Sequence, residues 1–593
     1  MKKTLKRRLS LALAAVMAFG SVAFATTANA AQAGEAAAAN SYGLPEKVED
    51  GAILHCWCWS FNTIKENIPQ IAAAGFKSIQ TSPINKFKEP KSKKTALKSS
   101  NNDYGNWWYQ YQPVDYTIGN YMLGTEQEFI EMIEEAHKYG VKVVADIVAN
   151  HCSSDYSAIS SNVKNIAGNS TFHKVLQIQD WSNRQQVTQG HLTGLWDFNT
   201  QNTKVQQFFV DYISRVLSYG VDGFRFDAMK HVELPDDDAS YAGDFWPVVL
   251  NNDAEFQYGE ILLGADRAAD YAKLVKITAE GYGNNLRVAL EKKKVTATAA
   301  KNYRLTGVDA GKLVTWVESH DTYCNDDNPS QNQYSSWYKL NNEQIQQGWA
   351  VIAAQGDTTP LFFARPKGSA AYDPNSNLTG TANFKNKWGD NTIGIDGDGN
   401  YYSAEVAAVN KFRNAMVGEK KNLVDVVKGG KVTMIERGNK GAVIVSVADA
   451  DSNISVASSL PDGTYVDHAN GGTFTVANGT LTGTIAAGAV AVLYQEEAPA
   501  TEPTTEPVIE PTTPSLPTER PVGDINGDMV FDINDATELQ RHLAEFTKAD
   551  GSPIVDENDP EEFRIADFNG DNVINVNDVT AMQCSLAEFV SLR

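Results

Sequence analysis

Short apolar runs and amphipathic stretches take turns along the first four hundred residues. β-Branched or aromatic runs at 52–59, 76–81, 141–148 and 223–227, and again at 257–262, 313–320 and 361–364, predict strands. Between them apolar positions recur at helical spacing over 63–74, 125–139 and 203–219. This alternation predicts an α/β fold with a parallel sheet, most economically closed into a (β/α)8 TIM barrel over 41–419. The sixth strand carries the weakest signal and is placed at 286–291. After strand three the pattern lapses into Ser, Asn, Gln and Gly over 152–196. A polar insert of that length is long for a connection and marks a functional segment.

Past 420 the text changes to Val-Thr-Met-Ile and Ala-Val-Ile-Val-Ser-Val with Gly and Asn at the turns, predicting a C-terminal antiparallel β-sandwich domain over 420–495. Residues 496–522 hold seven prolines among Thr and Glu and read as a stiff, solvated linker. An internal repeat follows. Asp524-Ile-Asn526-Gly-Asp528-Met529-Val530-Phe-Asp532-Ile-Asn-Asp535 returns 43 residues on as Asp567-Phe-Asn569-Gly-Asp571-Asn572-Val573-Ile-Asn575-Val-Asn-Asp578, and each copy runs into a helical pattern.

At the N-terminus a basic stretch, an apolar run over 9–25 and Ala28-Asn29-Ala30 describe a secretory signal peptide over 1–30, and so an exported protein, extracellular or in a cell-surface complex. No later run is long enough to span a membrane. The net charge of −22 argues against a nucleic-acid partner, which would need a basic face. The charge is uneven: sixteen acidic residues face four basic ones from residue 523 to the end, which points to divalent cations. Five cysteines are too few for a disulfide scaffold. Cys56 and Cys58 are expected on one face of the first strand, packed in the core.

A parallel barrel gathers its chemistry at the C-terminal ends of its strands. Four such ends stand out: Asp146-Ile-Val-Ala-Asn150-His151, Gly223-Phe-Arg225-Phe-Asp227-Ala-Met-Lys230-His231, Gly259-Glu260 and Glu318-Ser319-His320-Asp321. Three carboxylates converging in one pocket, Asp227, Glu260 and Asp321, suit glycoside hydrolysis, in which one attacks the anomeric carbon and another protonates the leaving oxygen. Arg225 shares a strand face with Asp227 and is expected to hold it ionised. Asp321 would supply the like charge that keeps Glu260 protonated. The imidazoles of His151, His231 and His320 are expected to donate to sugar hydroxyls. The segment Trp107-Trp108-Tyr-Gln-Tyr111-Gln112 offers aromatic faces for sugar rings.

These four segments resemble the signature regions of the α-amylase family of glycoside hydrolases, family 13, and 107–116 resembles the substrate loop of animal-type and related bacterial members. The resemblance covers about 41–494. It implies a retaining mechanism on internal α-1,4-glucosidic bonds of starch, with Asp227 as nucleophile, Glu260 as acid/base and Asp321 as transition-state stabiliser. It further implies that Tyr111, His151, Arg225, Lys230, His231 and His320 line the sugar sites. One Ca2+ between barrel and insert is implied at Asn150, Asp197 and the His231 carbonyl. Ser319 stands where chloride-activated relatives carry an anion-ligating Asn, so the resemblance leaves chloride binding in doubt although Arg225 and Arg365 stand at matching positions. A transglycosylase or debranching-type enzyme of the same family would share these residues. A non-catalytic starch-binding scaffold component would have no need of all three carboxylates.

The repeated loops carry oxygen side chains at positions 1, 3, 5, 9 and 12 with a backbone carbonyl at 7, the pattern of an EF-hand-like calcium site. The ligands would be Asp524, Asn526, Asp528, Val530, Asp532 and Asp535, then Asp567, Asn569, Asp571, Val573, Asn575 and Asp578. Two such loops with Asp at position 12 resemble a dockerin module over 523–593, a small helical unit that implies two Ca2+ and a cohesin partner on a scaffoldin protein. Ile533, Asn534, Val576 and Asn577 are its candidate contact positions. Met529, where a tight turn prefers Gly, is the departure from that pattern.

Overall fold

Ile53–His55, Ser78–Gln80, Lys142–Ile147, Gly223–Phe226, Phe256–Gly259, Lys276–Thr278, Leu313–Thr315 and Thr359–Phe363 form eight parallel strands, β1 to β8, in a computed structural model of the chain. The model describes residues 42–89, 95–98, 107–174, 177–262, 267–324, 336–370 and 386–495. Within 520–586 it describes all but 521, 527–530, 532, 545–546, 548–551, 558 and 571–572. The strands pair in sequence order, and β1 closes the barrel on β8, Ile53 opposite Leu361 and His55 opposite Phe363. Eight helices follow the strands in turn: Phe61–Ala73 (α1), Glu126–Lys138 (α2), Thr203–Ser218 (α3), Phe245–Val249 (α4), Ala268–Leu274 (α5), Glu280–Glu291 (α6), Asn342–Ala353 (α7) and Ala404–Ala415 (α8).

Alternation along the strands separates two cores. Ile53, Val144, Phe256, Tyr258, Val314, Trp316 and Leu361 fill the inside of the barrel. Their outward neighbours, such as Leu54, Ala145, Phe224 and Phe226, pack on the helices. The helices carry matching stripes. In α1 Phe61, Ile64, Ile68 and Ile71 are buried, and Ser60 caps the helix by accepting from the Thr63 amide. In α2 Thr125 and Glu128 form a reciprocal capping box.

The sixth strand corrects the sequence reading. Residues 286–291 belong to helix α6, and β6 is Lys276–Thr278. Tyr282, Leu286 and Leu290, buried at intervals of four, form a helical stripe, whereas a three-residue strand opening on Lys leaves no periodic signal. Strands one and seven are also shorter than expected, because the chain turns at the rim. Cys58 has φ +62°, so it does not share a strand face with Cys56, although both are buried. His320 already begins a short helix.

The insert leaves and rejoins the barrel at one point. His151 and Asp197 form an antiparallel bridge, with the Cys152 amide on the Trp196 carbonyl and the Phe198 amide on that of Asn150, at 2.8 and 2.9 Å. Downstream, two four-stranded antiparallel sheets face one another. One is ordered Lys421–Val427, Val432–Arg437, Gly441–Ser446, Val490–Tyr494, and the other Ser452–Ala457, Thr480–Ile485, Thr473–Ala477, Gly463–Val466. Met434, Ile444, Phe474 and Leu481 are among the residues filling the space between them.

The second compact unit, 497–593, contains helices Ile533–Leu543, Pro560–Ala566 and Val576–Leu586. The first and third follow the two repeats. The middle one is an addition the repeat pattern did not predict, capped by Asp559 and begun by Pro560. The core joins corresponding positions of the two copies: Ile525 with Phe568, Ala536 with Val579, Leu539 with Met582. The signal-peptide segment 1–30 and all but the last residues of the linker lie outside the described residues. Among the described residues no helix is long and apolar enough to cross a membrane.

Candidate active site

The barrel interior becomes polar toward the C-terminal ends of its strands. Register sets Asp146 of β3 opposite Arg225 of β4, and Arg225 opposite Tyr258 of β5. The Tyr258 hydroxyl donates across the barrel to Gln80 of β2. Arg225 is the hub. One guanidinium nitrogen lies 2.7 and 2.8 Å from the two Asp146 oxygens and 3.0 Å from Asp227 Oδ1, and the other pairs with Glu260. Tyr111 donates to Asp146 at 3.1 Å. Ala228, at φ +51°, aims its amide at Glu260 Oε2, 3.3 Å away. Gly259 leaves room for Met229: a Cβ there would sit 1.8 Å from the Met229 sulfur.

Opposite this hub, Glu260, His320 and Asp321 each bring one polar atom to within 4.8 Å of the others. Asp227, His320 and Asp321 line a cleft of about 290 Å3 together with Trp107, Trp108, Tyr111, Gln112 and His151. The rings are less open than the sequence led us to expect. Trp107 is buried against Trp57 and His320, and Tyr111 stacks parallel on His320 at 5.2 Å, so Trp108 and Tyr111 supply the partly exposed faces. Lys230 donates to the Leu262 carbonyl. Arg365 is engaged bidentately by Glu318, at 2.6 and 2.9 Å, and Ser319 bonds within its own turn to Thr322.

Two electrostatic expectations change. Burial pushes the Asp227 carboxyl well above the usual carboxylate range, and the neighbouring Glu260 charge adds to this, with Arg225 opposing. Burial outweighs the guanidinium, which Asp227 also shares with Asp146 and Glu260. Asp146 rises to about 6 for the same first reason, burial. Burial also lowers His151 to about 4 and His231 and His320 to about 3, so the rings are neutral. A carbonyl can only accept. His151 Nε2 therefore donates to Tyr111 O and His231 Nδ1 to Val187 O, at 3.1 and 3.0 Å. The single N–H of His151 and that of His231 are thus spent on the protein and not offered to a sugar hydroxyl.

That tautomer bears on a metal. With Nε2 protonated, His151 Nδ1 accepts from the Asn150 amide nitrogen at 3.2 Å, which turns the Asn150 oxygen toward the His231 carbonyl oxygen at 3.0 Å and Asp197 Oδ1 at 3.3 Å. Three acceptors face one another, and a hard cation among them satisfies all three. The opposite amide orientation, donating to both oxygens, would require a second proton on His151. Burial also raises the Asp197 carboxyl far above its ordinary value, as for a charge that lacks a counter-ion. These residues fit a calcium ion.

In the repeat unit Asp524, Asp535 and Asp578 are fully buried. Asp535 Oδ1 accepts the amides of Ile525 and Asn526 at 2.9 and 3.1 Å, and Asp578 accepts those of Asn569 and Asn575 at 3.1 and 2.9 Å, so each position-12 carboxylate closes its own loop. Asp567, Asn569, Val573 and Asn575 are described, whereas Asp528, Met529, Val530, Asp532, Asp571 and Asn572 lie outside the described residues, as do the side chains of Ile533 and Asn534.

Sequence reasoning gave no role to Asp146, although it opens a quoted strand end. It also missed His55, a buried ring edge-on to His320 at 5.4 Å, and the Gln80–Tyr258 pair. For His55 the signal was available, since it too ends a barrel strand.

A closed parallel barrel with carboxylates gathered around one arginine, in a ring-lined cleft, has the groups that glycoside hydrolysis uses. Residues 59–303 match the family described as alpha amylase, catalytic domain, and residues 522–586 the dockerin type I domain. The chain is similar to an α-amylase of Butyrivibrio fibrisolvens (38% identity, 77% of this chain, 48% of that one) and to one of Clostridium acetobutylicum (33%, 77% and 55%). It therefore spans about half the length of these curated relatives. Its fold is that of α-amylase I of Eisenia fetida, solved with maltohexaose (TM-score 0.59, 20% identity, 76% of this chain, 98% of that one). An α-amylase of Geobacillus thermoleovorans, solved with acarbose, is also similar (TM-score 0.54, 16%, 76% and 99%). Residues 59–303 thus belong to the α-amylase catalytic-domain family, and the chain carries a dockerin type I domain at 522–586.

Proposed function

We propose that this chain is an exported endo-acting α-amylase that hydrolyses internal α-1,4-glucosidic bonds of starch with retention, and that its repeat module attaches it through a cohesin to a multi-enzyme complex. The observation that carries the catalytic reading is the arrangement of Asp227 and Glu260 on the two arms of Arg225, with Asp321 facing Glu260 across the cleft. Asp227 is the nucleophile and attacks the anomeric carbon in its ionised form, which Arg225 favours against the burial that opposes it. Glu260 protonates the departing glycosidic oxygen, then takes a proton from the water that releases the sugar. Asp321 stabilises the oxocarbenium-like charge. Arg225 positions both reacting carboxylates and offsets their charge, and Trp108 and Tyr111 supply apolar area for pyranose faces. Calcium held by Asn150, Asp197 and the His231 carbonyl would fix the insert to the end of β3. In the module, the two loops closed by Asp535 and Asp578 would each hold one calcium.

The test is digestion of amylose, pullulan and a cyclodextrin by wild type and Asp227→Asn, followed by chain-length and anomer analysis. Wild type is expected to yield short α-anomeric oligosaccharides from amylose. The variant should lose about 10^4-fold or more in kcat and still bind starch. Lengthened products would identify a transglycosylase, and substantial turnover by the variant removes Asp227 as nucleophile.

A further inference from the structure

The insert reaches the cleft by a second route besides Asp197. Its helix Arg184–Gln189 packs on the turn Met229–His231 that follows β4, and one side chain carries much of the polar contact. Arg184 Nη1 donates to the Lys230 carbonyl at 2.8 Å. Its Nη2 donates to the Tyr271 hydroxyl of α5 at 2.6 Å and to the Val232 carbonyl at 3.3 Å. Nε and Nη2 also grip Asp237 Oδ2, at 3.2 and 3.0 Å, and that side chain is only 2% exposed. The two carbonyls held are those on either side of His231.

Counting protons makes the arginine the essential donor. Tyr271 reaches the same two carbonyls but has one proton to give, and it lies nearer Val232 than Lys230. The Lys230 carbonyl therefore takes its hydrogen bond from Arg184. Three residues along the same helix, the Val187 carbonyl accepts from His231 Nδ1 at 3.0 Å, which leaves His231 Nε2 as an acceptor. Six residues of the insert thus set both the peptide and the ring of this turn. On its other side the turn is tied to the end of β5: the Met229 amide donates to the Glu260 carbonyl at 3.0 Å, and Lys230 donates to that of Leu262. Among the described residues, Arg184 bonds to none of Asp227, Glu260 and Asp321.

We propose that Arg184 is a positioning residue for the hydrolysis, acting through the turn 229–231 by holding Lys230 and His231 where they meet the sugar chain. That the turn meets sugar rests on the reading in Proposed function. The planar guanidinium suits this task because it spans a carboxylate and a carbonyl at once. An ammonium at 184 would keep a charge beside Asp237 and give up the Lys230 carbonyl.

The test measures kcat and KM on maltoheptaose, with thermal melts, for full-length wild type, Arg184→Lys, Arg184→Gln and Tyr271→Phe, from limiting to saturating calcium. Partial unfolding removes active molecules and lowers the apparent kcat but leaves the KM of the remainder in place, so KM is the readout that a merely structural role would not move. Arg184→Lys should raise KM about tenfold, with kcat within about twofold of wild type and the melt little changed. Tyr271→Phe should raise KM less. Arg184→Gln should add a loss of stability, because Asp237 then keeps only Arg267 of its two arginine partners. A wild-type KM in Arg184→Lys overturns the proposal. So does a KM that returns to the wild-type value at saturating calcium, which would make the arginine an aid to the ion alone. Wild type that binds maltoheptaose and hydrolyses no α-glucan refutes the catalytic reading instead, and the dissociation constants of wild type and Arg184→Lys then decide on Arg184 in place of KM.

Discussion

Two largely buried carboxylate sites, one on β3 itself and one just past its end where the insert returns, solve the same electrostatic problem differently. Around Asp146, Asp227 and Glu260 the chain provides its own cation, Arg225, wedged among all three. Around Asp197, whose Oδ1 lies 3.3 Å from the Asn150 amide, the basic partner is His173, at 2.6 Å, which burial holds below its ordinary value and so leaves uncharged. The first cluster carries its counter-charge in the chain, whereas in the proposed reading the second takes it from solution. On that reading, charge that acts on a substrate is balanced by a fixed arm, and charge that ties an insert to a barrel would be left to an exchangeable ion.

The strongest way to break this contrast is Arg225→Met. Three buried carboxylates would lose their shared partner, so unfolding free energy should fall by about 3–5 kcal/mol and hydrolysis should vanish. Denaturant melts would check it, and a variant as stable as wild type would mean that the carboxylates are neutral without the arginine. A milder intervention acts on the second cluster alone. Chelator should lower the barrel's melting temperature in wild type, by the equivalent of about 2.7 kcal/mol if calcium stood at a hundred times its dissociation constant, and should do nothing to that transition in Asp197→Asn. Equal responses in the two proteins would place the barrel's calcium elsewhere.

The smallest effect concerns pH. Asp146 stands at about 6, above its ordinary 3.8, because burial disfavours its charge. A raised value in the fold means that its contribution to stability is full below about 3.8 and is lost as pH rises through about 6. Activity should run the opposite way, since the ionised form is the one that grips Arg225. An acid limb near pH 6 is expected in kcat/KM, and it should shift or disappear in Asp146→Asn. A limb that stays in place would assign it to another group.

Much of the barrel was legible because amphipathic periods and strand-end chemistry are local properties. Gly223-Phe-Arg225-Phe-Asp227 announces a strand and the alignment of its charged residues in five letters. What escaped was non-local or too brief. Lys276–Thr278 is a strand only because β5 and β7 flank it. Asp146 faces Arg225 through register, which no spacing within either strand reveals. The level of Asp227 depended on how many carboxylates share one guanidinium, a number that exists only once the strands are assembled. The neutral, already committed imidazoles of His151 and His231 likewise follow from carbonyls contributed by distant loops.

The tail unit carries an implication for how the protein ages. Its apolar centre draws on positions 43 residues apart in both copies, Ile525 and Phe568, Leu539 and Met582, together with Ile554, Val555 and Ile565 between them. Neither half owns an interior. If the module attaches the chain as proposed, proteolytic trimming that removed the second copy would take away half of that centre at once, and the chain would be released in one event rather than loosened by degrees.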